Sequence, residues 1–374
     1  MRTLRRRLMT SYANLDLPIK WKDEQVAKWA ASKGITTRRQ VMAFTDRFGL
    51  SFADNTELRE FPEFKWFEKW IGWKTPSANV FSGCSNLLNV SLVSWMEEIP
   101  YHFFYNCASL ALDSLPESLT SIGGGAFAGC KKIAWTALPS GVTTIGPLCF
   151  DGCTSLALTS LPEGVTSLGE ASFRDCANIT LSSLPEGLVS IARYAFQGCS
   201  KITVKSLPEG LTTVTARTFQ DCVSITEMTL PSSVATIEES AFNGCMRLAK
   251  VSLPEGLTDV GSLAFQNCTK LTEMTLPSSV ATIGSGAFGG CTGLTEMTFP
   301  ASVTSISGMV LYQASNVVRL RFLGTTPPTF DENAWALPSV PAYVPDDAMD
   351  AYKEAWSGNP LAALLEPLSE WVGE

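Results

Sequence analysis

Residues 242–268 read FNGCMRLAKVSLPEGLTDVGSLAFQNC, a stretch in which a phenylalanine stands three places before each of two cysteines. Those cysteines are two marks on a longer ruler. Cys84, Cys107, Cys130, Cys153, Cys176, Cys199, Cys222, Cys245, Cys268 and Cys291 follow one another at intervals of 23 residues, and phenylalanine keeps step from Phe81 to Phe288. A proline row runs from Pro116 to Pro300, each preceded by Leu or, once, by Phe299. Leu110, Ile133 and Leu156 begin one apolar row, and Ile122, Ile145 and Leu168 another. A fixed period of about 20 to 29 residues with leucine-type rows marks a solenoid, whose coils cannot bury their own apolar side and must stack.

The energetics give the reason. Burying one large apolar side chain contributes about 1.5–3 kcal/mol, whereas ordering each residue costs on the order of 1–2 kcal/mol of backbone entropy. One coil therefore fails alone and a stack of many succeeds. Ten coils between Cys84 and residue 313, spaced like neighbouring strands, predict a rod or gentle arc about 50 Å long.

Within a coil, LTEMTLP reads as a short strand ended by a proline that cannot donate the next ladder bond. VATI reads as a second extended piece, and SAFNGC as a tight turn with Gly, Asp or Asn ahead of the cysteine. The first strand changes character along the chain. Its inward residue stands at Leu112, Trp135, Leu158, Leu181 and Val204, then moves one place later to Met228, Val251, Met274 and Met297. A one-residue slip exchanges the two faces of a strand, which predicts a bulge or altered register in the earlier coils, changing near Cys222.

The run LPSSVATIGSGAFGGCTGLTEMTFP resembles the BspA-like leucine-rich repeats of bacterial surface proteins, and the resemblance holds coil by coil over residues 76–322. It implies an α/β repeat fold: a leucine-rich-repeat solenoid of short parallel strands with an N-terminal helical cap and a C-terminal strand and helix cap. The expected organisation is a basic N-terminus (1–15), a helical cap (16–75), the solenoid (76–314) and a closing segment (315–374). LRFLGTTPPTFDENAWALPSVPAYVPDDAMDAYKEAW is similar to the closing segment of gut-bacterial members, with a strand, a Thr-Pro-Pro loop, a Tyr-Val-Pro strand and a helix from about Asp346 to Trp356. Many relatives carry an EF-hand-like helix pair before the repeats. Here the helices are legible, one ending at Gly34 and one at Gly49, but no Asp or Glu falls between Ala31 and Arg39. A calcium loop needs several carboxylates, so no calcium site is expected there.

Composition narrows the function. The chain has 374 residues, a formal charge of −8 and a pI near 5.0, unsuited to nucleic acid, whose phosphates require clustered basic groups. No apolar run is long enough for a membrane span. The one basic cluster, Arg2, Arg5, Arg6 and Arg7, lacks the apolar stretch and cleavage site of a signal peptide. It reads as a solvated terminus or as a segment that docks onto a larger assembly.

Chemistry is sparse. A ladder of single thiols offers one ligand per coil, where zinc sites need closely paired ligands. Stacked cysteines lie within disulfide range, but equivalent side chains point the same way, so buried, reduced packing is the preferred reading, with disulfides and metal as its alternatives. Cys149 falls where other coils carry Ala126, Ala195 or Ala241 and reads as a small filler. His102 is the only histidine and reads as a surface or partly packed residue rather than a base. Glu117, Glu163, Glu186, Glu209 and Glu255 follow the proline along one edge, without the facing pair a glycosidase needs. No catalytic residue, metal or cofactor is expected.

The candidate contact surface is the small-hydroxyl row before the Leu-Pro step: Ser183, Ser206, Thr229, Ser252, Thr275 and Thr298. It reads as flat and weakly charged, able to meet a protein or glycan. Trp66, Phe67, Trp70, Trp73, Trp95 and Tyr101 before the rod, and Trp335, Tyr343, Tyr352 and Trp356 after it, are expected to seal its ends. The resemblance implies a non-enzymatic adhesion or recognition role at a cell surface. The opening MRTLRRRLM also looks like phage-encoded repeat proteins, which implies the alternative of a virion tail component.

Overall fold

The computed structural model describes residues 24–37, 40, 52–61, 78–330 and 339–371. Helix α1 (Glu24–Ser32) ends at Gly34, whose φ of 67° is the left-handed closure the sequence signals. Thr37 and Gln40 then exchange side-chain and backbone bonds in the manner of a capping box. The rest of the second expected helix, the Arg cluster, Trp66, Phe67, Trp70, Trp73 and Trp335 lie outside the described residues.

From residue 78 the chain winds as a parallel solenoid, and each coil has three sides. The first side carries two-residue strands at the VATI position, from Glu98–Ile99 to Thr329–Phe330. In each, the first residue faces outward and the second is buried, apart from the last rung, where Phe330 is only half-buried. All pairings are parallel, one coil to the next, as in Ile122 with Ile145. The second side carries the strand before the Leu-Pro step. The third is the turn that holds phenylalanine and cysteine.

The turn side has its own bonding rule. Ser240, Phe242 and Gly244 donate their N–H groups to the next coil, at Ser262, Ala264 and Gln266, while Ala241, Asn243 and Cys245 bond three residues back. Alternating donors in this way requires left-handed residues at two places in each turn, here Ser240 (φ 55°) and Gly244 (φ 75°). The phenylalanine rings from Phe52 to Phe288 stack with centroids 5.3–5.7 Å apart. Beside them each ladder cysteine from Cys107 on donates its S–H to a phenylalanine carbonyl 26 residues back, as Cys245 does to Phe219 at 3.1 Å. All eleven cysteines are free and buried. Burial pushes their thiols up, Cys84 and Cys291 to about 12.

The register change expected near Cys222 is present. In the earlier coils Thr180 donates to Leu158 O and Thr203 to Leu181 O, 22 residues back, and between residues 111 and 205 no second-side strand forms. Later, Ala249 donates to Thr226 O, 23 residues back, and Lys250–Ser252 pairs with Glu227–Thr229. Both Leu158 and Met228 are buried, so the extra residue is absorbed by the backbone and the core stays filled.

Both ends extend the stack. Phe52 stacks on Phe81, its carbonyl accepts from Cys84, and Glu60–Phe61 pairs with Asn89–Val90. Asn55 stands where a cysteine would, and its Oδ1 caps the N–H groups of Glu57 and Leu58. At the other end Arg319–Phe322, Ala342–Val344 and Leu365–Pro367 add rungs to the second side. Helix α2 (Met349–Ala355) then seals the core: Tyr352 bonds Gly324 O, Trp356 bonds Pro328 O, and Phe322 packs on both rings.

One row alternates. The left-handed residue just before each ladder cysteine runs Gly83, Asn106, Gly129, Gly152, Asp175, Gly198, Asp221, Gly244, Asn267, Gly290, with Asp54 preceding Gly83 in the row. Except at Gly152, each Asn or Asp lays Oδ1 where the following glycine would carry a Cβ. Gly244→Ala is therefore expected to cost about 1–2 kcal/mol for its backbone alone and more for the collision with Asp221. Adding Asp221→Gly relieves only the second part. A double-mutant cycle by denaturant titration should give a coupling of about 1 kcal/mol, and additivity would refute the steric account.

Candidate functional site

The outward residues of the first side are Ser121, Thr144, Ser167, Ser190, Thr213, Thr236, Asp259, Thr282 and Ser305. This is a second row rich in hydroxyls, which reading the sequence passed over; its signal was the Ser or Thr ahead of most of the Ile, Leu or Val residues in the VATI position, with Glu98 and Asp259 as the exceptions. Hydroxyls one residue earlier tie the coils together: Thr143 donates to Thr120 O at 3.3 Å and Thr258 to Ala235 O at 3.1 Å.

Between Ala216 and Ser307 this side forms an open groove of about 620 Å³ whose lining includes Thr236, Glu238, Glu239, Asp259, Thr282 and Ser305. Its floor is flat because Gly284 lets the backbone approach Ser262 more closely than any Cβ would allow. Its polar groups are preset. Glu238 accepts the Ala216 N–H at 2.9 Å, and Asp259 accepts the hydroxyls of Thr258 and Thr282. At the rim Arg217 pairs with Glu239 at 2.5 Å and donates to the Tyr194 hydroxyl at 2.7 Å; the bond to Glu239 raises the Arg217 pKa further.

The hydroxyl row read from the sequence lies on the second side. Ser183, Ser206, Thr229, Ser252 and Thr275 are exposed and Thr298 is half-buried. The structure brings them together in two runs rather than one: Ser206 with Thr229 and Ser252, and Thr275 with Thr298, which continues into Arg321 and Tyr343. Ser183 falls in the coils without a second-side strand. The surface is also less neutral than expected. Lys205 pairs with Glu227 at 2.8 Å and Arg319 with Glu296 at 3.0 Å beside the row.

His102 is half-buried between Tyr101 and Tyr105, with ring centroids 3.8 and 4.5 Å away. Partial burial lowers its pKa. Its ring lies over Gly125, where a Cβ would collide with it. The glutamate edge is held by hydroxyls of the next coil, Ser232 on Glu209 and Ser278 on Glu255. Among the described residues no group of three or more His, Cys, Asp or Glu is placed to hold a metal ion, and no helix is long and apolar enough to cross a membrane.

Stacked parallel coils with a leucine-type core and polar outward rows define a leucine-rich-repeat solenoid of the binding type. The chain belongs to the BspA type leucine-rich repeat family, whose pattern matches residues 74–203 and 212–334 in 6 copies. Among solved structures, a leucine-rich cell surface protein of Faecalibacterium prausnitzii is 23% identical over 66% of this chain and 75% of its own, with a TM-score of 0.48. The pneumococcal vaccine antigen PcpA is 19% identical over 79% and 73%, TM-score 0.47. A leucine-rich repeat protein of Bacteroides ovatus is 22% identical over 68% and 86%, TM-score 0.38. No curated protein matches the chain.

Proposed function

We propose that the protein is a non-enzymatic recognition module that meets a protein or glycan at a cell surface and serves adhesion. The observation that carries this reading is the first-side groove, where successive rungs present Thr236, Asp259, Thr282 and Ser305 on a rigid ladder beside Glu238. Small preset polar groups give a partner hydrogen bonds without the entropy of ordering long side chains. The second-side row of Ser206, Thr229, Ser252, Thr275 and Thr298 is a further surface of the same kind. Membership of the BspA type leucine-rich repeat family supports the setting.

The test is binding of the purified chain to panels of glycans and extracellular proteins. Thr282→Arg, which fills the groove, is expected to weaken a retained partner about 10-fold or more while the melting temperature stays close to that of the parent. Ser206→Arg on the second side serves as the comparison. Binding that neither substitution disturbs would remove both rows from the reading. Fractionation of the native cell tests the setting: exposed protein supports adhesion, and recovery in purified phage particles would move the protein to a virion tail.

A further inference from the structure

The first strand-bearing side lapses at a single coil. On the first side, rungs 98–99 to 190–191 form one sheet and rungs 213–214 to 329–330 another. Elsewhere a backbone N–H bridges at this level, Ala192 to Leu168 O and Glu238 to Val214 O. At the seam Ile191 O is met by the Thr215 hydroxyl at 2.9 Å. That hydroxyl also bonds Thr218 at 2.7 Å, a buried threonine in a row where Ala195, Ala241 and Ala264 stand in neighbouring coils. Gly210 turns to a φ of 96°, unlike Gly164, Gly187 and Gly256 in the same place. The second side stays bonded through this coil, Thr203 to Leu181 O and Thr229 to Lys205 O, although its register changes there, and the family pattern skips residues 204–211.

The turn side does not lapse. Tyr194, Phe196 and Gly198 donate to Ala216, Thr218 and Gln220 O, Phe196 stacks on Phe219 at 5.7 Å, and Cys222 bonds Phe196 O. One lapsed side opposite a continuous turn side makes a pivot, because local opening follows the fewest cross-coil bonds. We propose that the coil Cys199–Asp221 is a hinge. It flexes about the turn side and sets the angle between an N-terminal block of coils and the C-terminal block that carries the groove. Hinges of this kind place the motion in a few residues and leave both blocks rigid.

Spin labels test this directly. Thr144→Cys with Thr236→Cys crosses the seam, and Thr236→Cys with Thr329→Cys does not. Each pair spans four coil steps, about 19 Å; Thr144 and Thr329 are exposed and Thr236 is half-buried on the outward face. The native thiols are buried and do not compete for label. The cross-seam distance distribution is expected to be about twice as wide as the control. Amides 212–215 should exchange about 10-fold faster or more than amides 235–238, while the Phe196 turn stays protected. Equal widths together with equal exchange would overturn the hinge. Thr215→Val should widen the cross-seam pair further and leave the control unchanged; if it prevents folding, the comparison in the parent chain still decides.

Discussion

Raising the pH from 8 to 10 under reducing conditions is expected to unfold the protein, with a loss of stability on the order of 10 kcal/mol. The cause is the thiol ladder. In the folded chain burial holds the cysteines protonated, with Cys84 and Cys291 pushed up to about 12 and the interior ones well above the usual thiol range. Unfolded, they ionise near 9.0. Above that pH the folded state binds more protons than the unfolded one, so the contribution is intact below pH 9 and falls as pH rises. Each buried thiol contributes about 1.4 kcal/mol per pH unit, against a typical total stability of about 5–15 kcal/mol. Circular dichroism at graded pH reads the transition. Cys149→Ala should reduce the slope by about one proton. Stability that stays flat to pH 10 would show that the thiols ionise in place.

Phe173→Ala is expected to cost about 3–5 kcal/mol and to split one melting transition into two. Phe173 stacks between Phe150 and Phe196 at 5.3 and 5.7 Å, and its carbonyl accepts the Cys199 thiol at 3.0 Å. A solenoid is held by nearest-neighbour interfaces, so a gap in the middle weakens two at once and uncouples the coils on either side. Phe173→Leu should cost much less, since Leu311 already occupies this row at the C-terminal end. Calorimetry showing one unshifted transition for the alanine variant would mean that the sheet rows, not the rings, carry the cooperativity.

The repeat was legible because stacking forces equivalent residues into equivalent places: once Cys245 and Cys268 fix the interval, the core rows follow. The register change was legible for the same reason, since only inward residues are constrained and Val204 to Met228 moves by one. Less was legible where identity changes but role does not. Asn55 continues the cysteine row and Phe52 the ring row without the 23-residue interval, so this first coil was hidden in the lead-in. The groove was hidden as well. Ser and Thr occur on two outward rows, and sequence spacing alone does not say that the row through Thr236 and Thr282 lies in a groove while that through Ser206 and Thr229 is bordered by ion pairs. The seam at Thr215 depends on one hydroxyl replacing one amide, a substitution that leaves no periodic trace.

The alternation of Asx and glycine beside the cysteine ladder also constrains how such a chain changes length. Asp175, Asp221 and Asn267 stand 46 residues apart with a glycine coil between each. Losing one glycine coil would set one carboxylate or amide against the next side chain, whereas losing an Asx coil would leave glycine over glycine, which the structure already accepts at Gly129 and Gly152. A two-coil block is thus the step of length that keeps every Asx facing a glycine. Gly152, where the beat is missed and a Cβ would meet nothing, marks the place where the rod tolerates a change of one step.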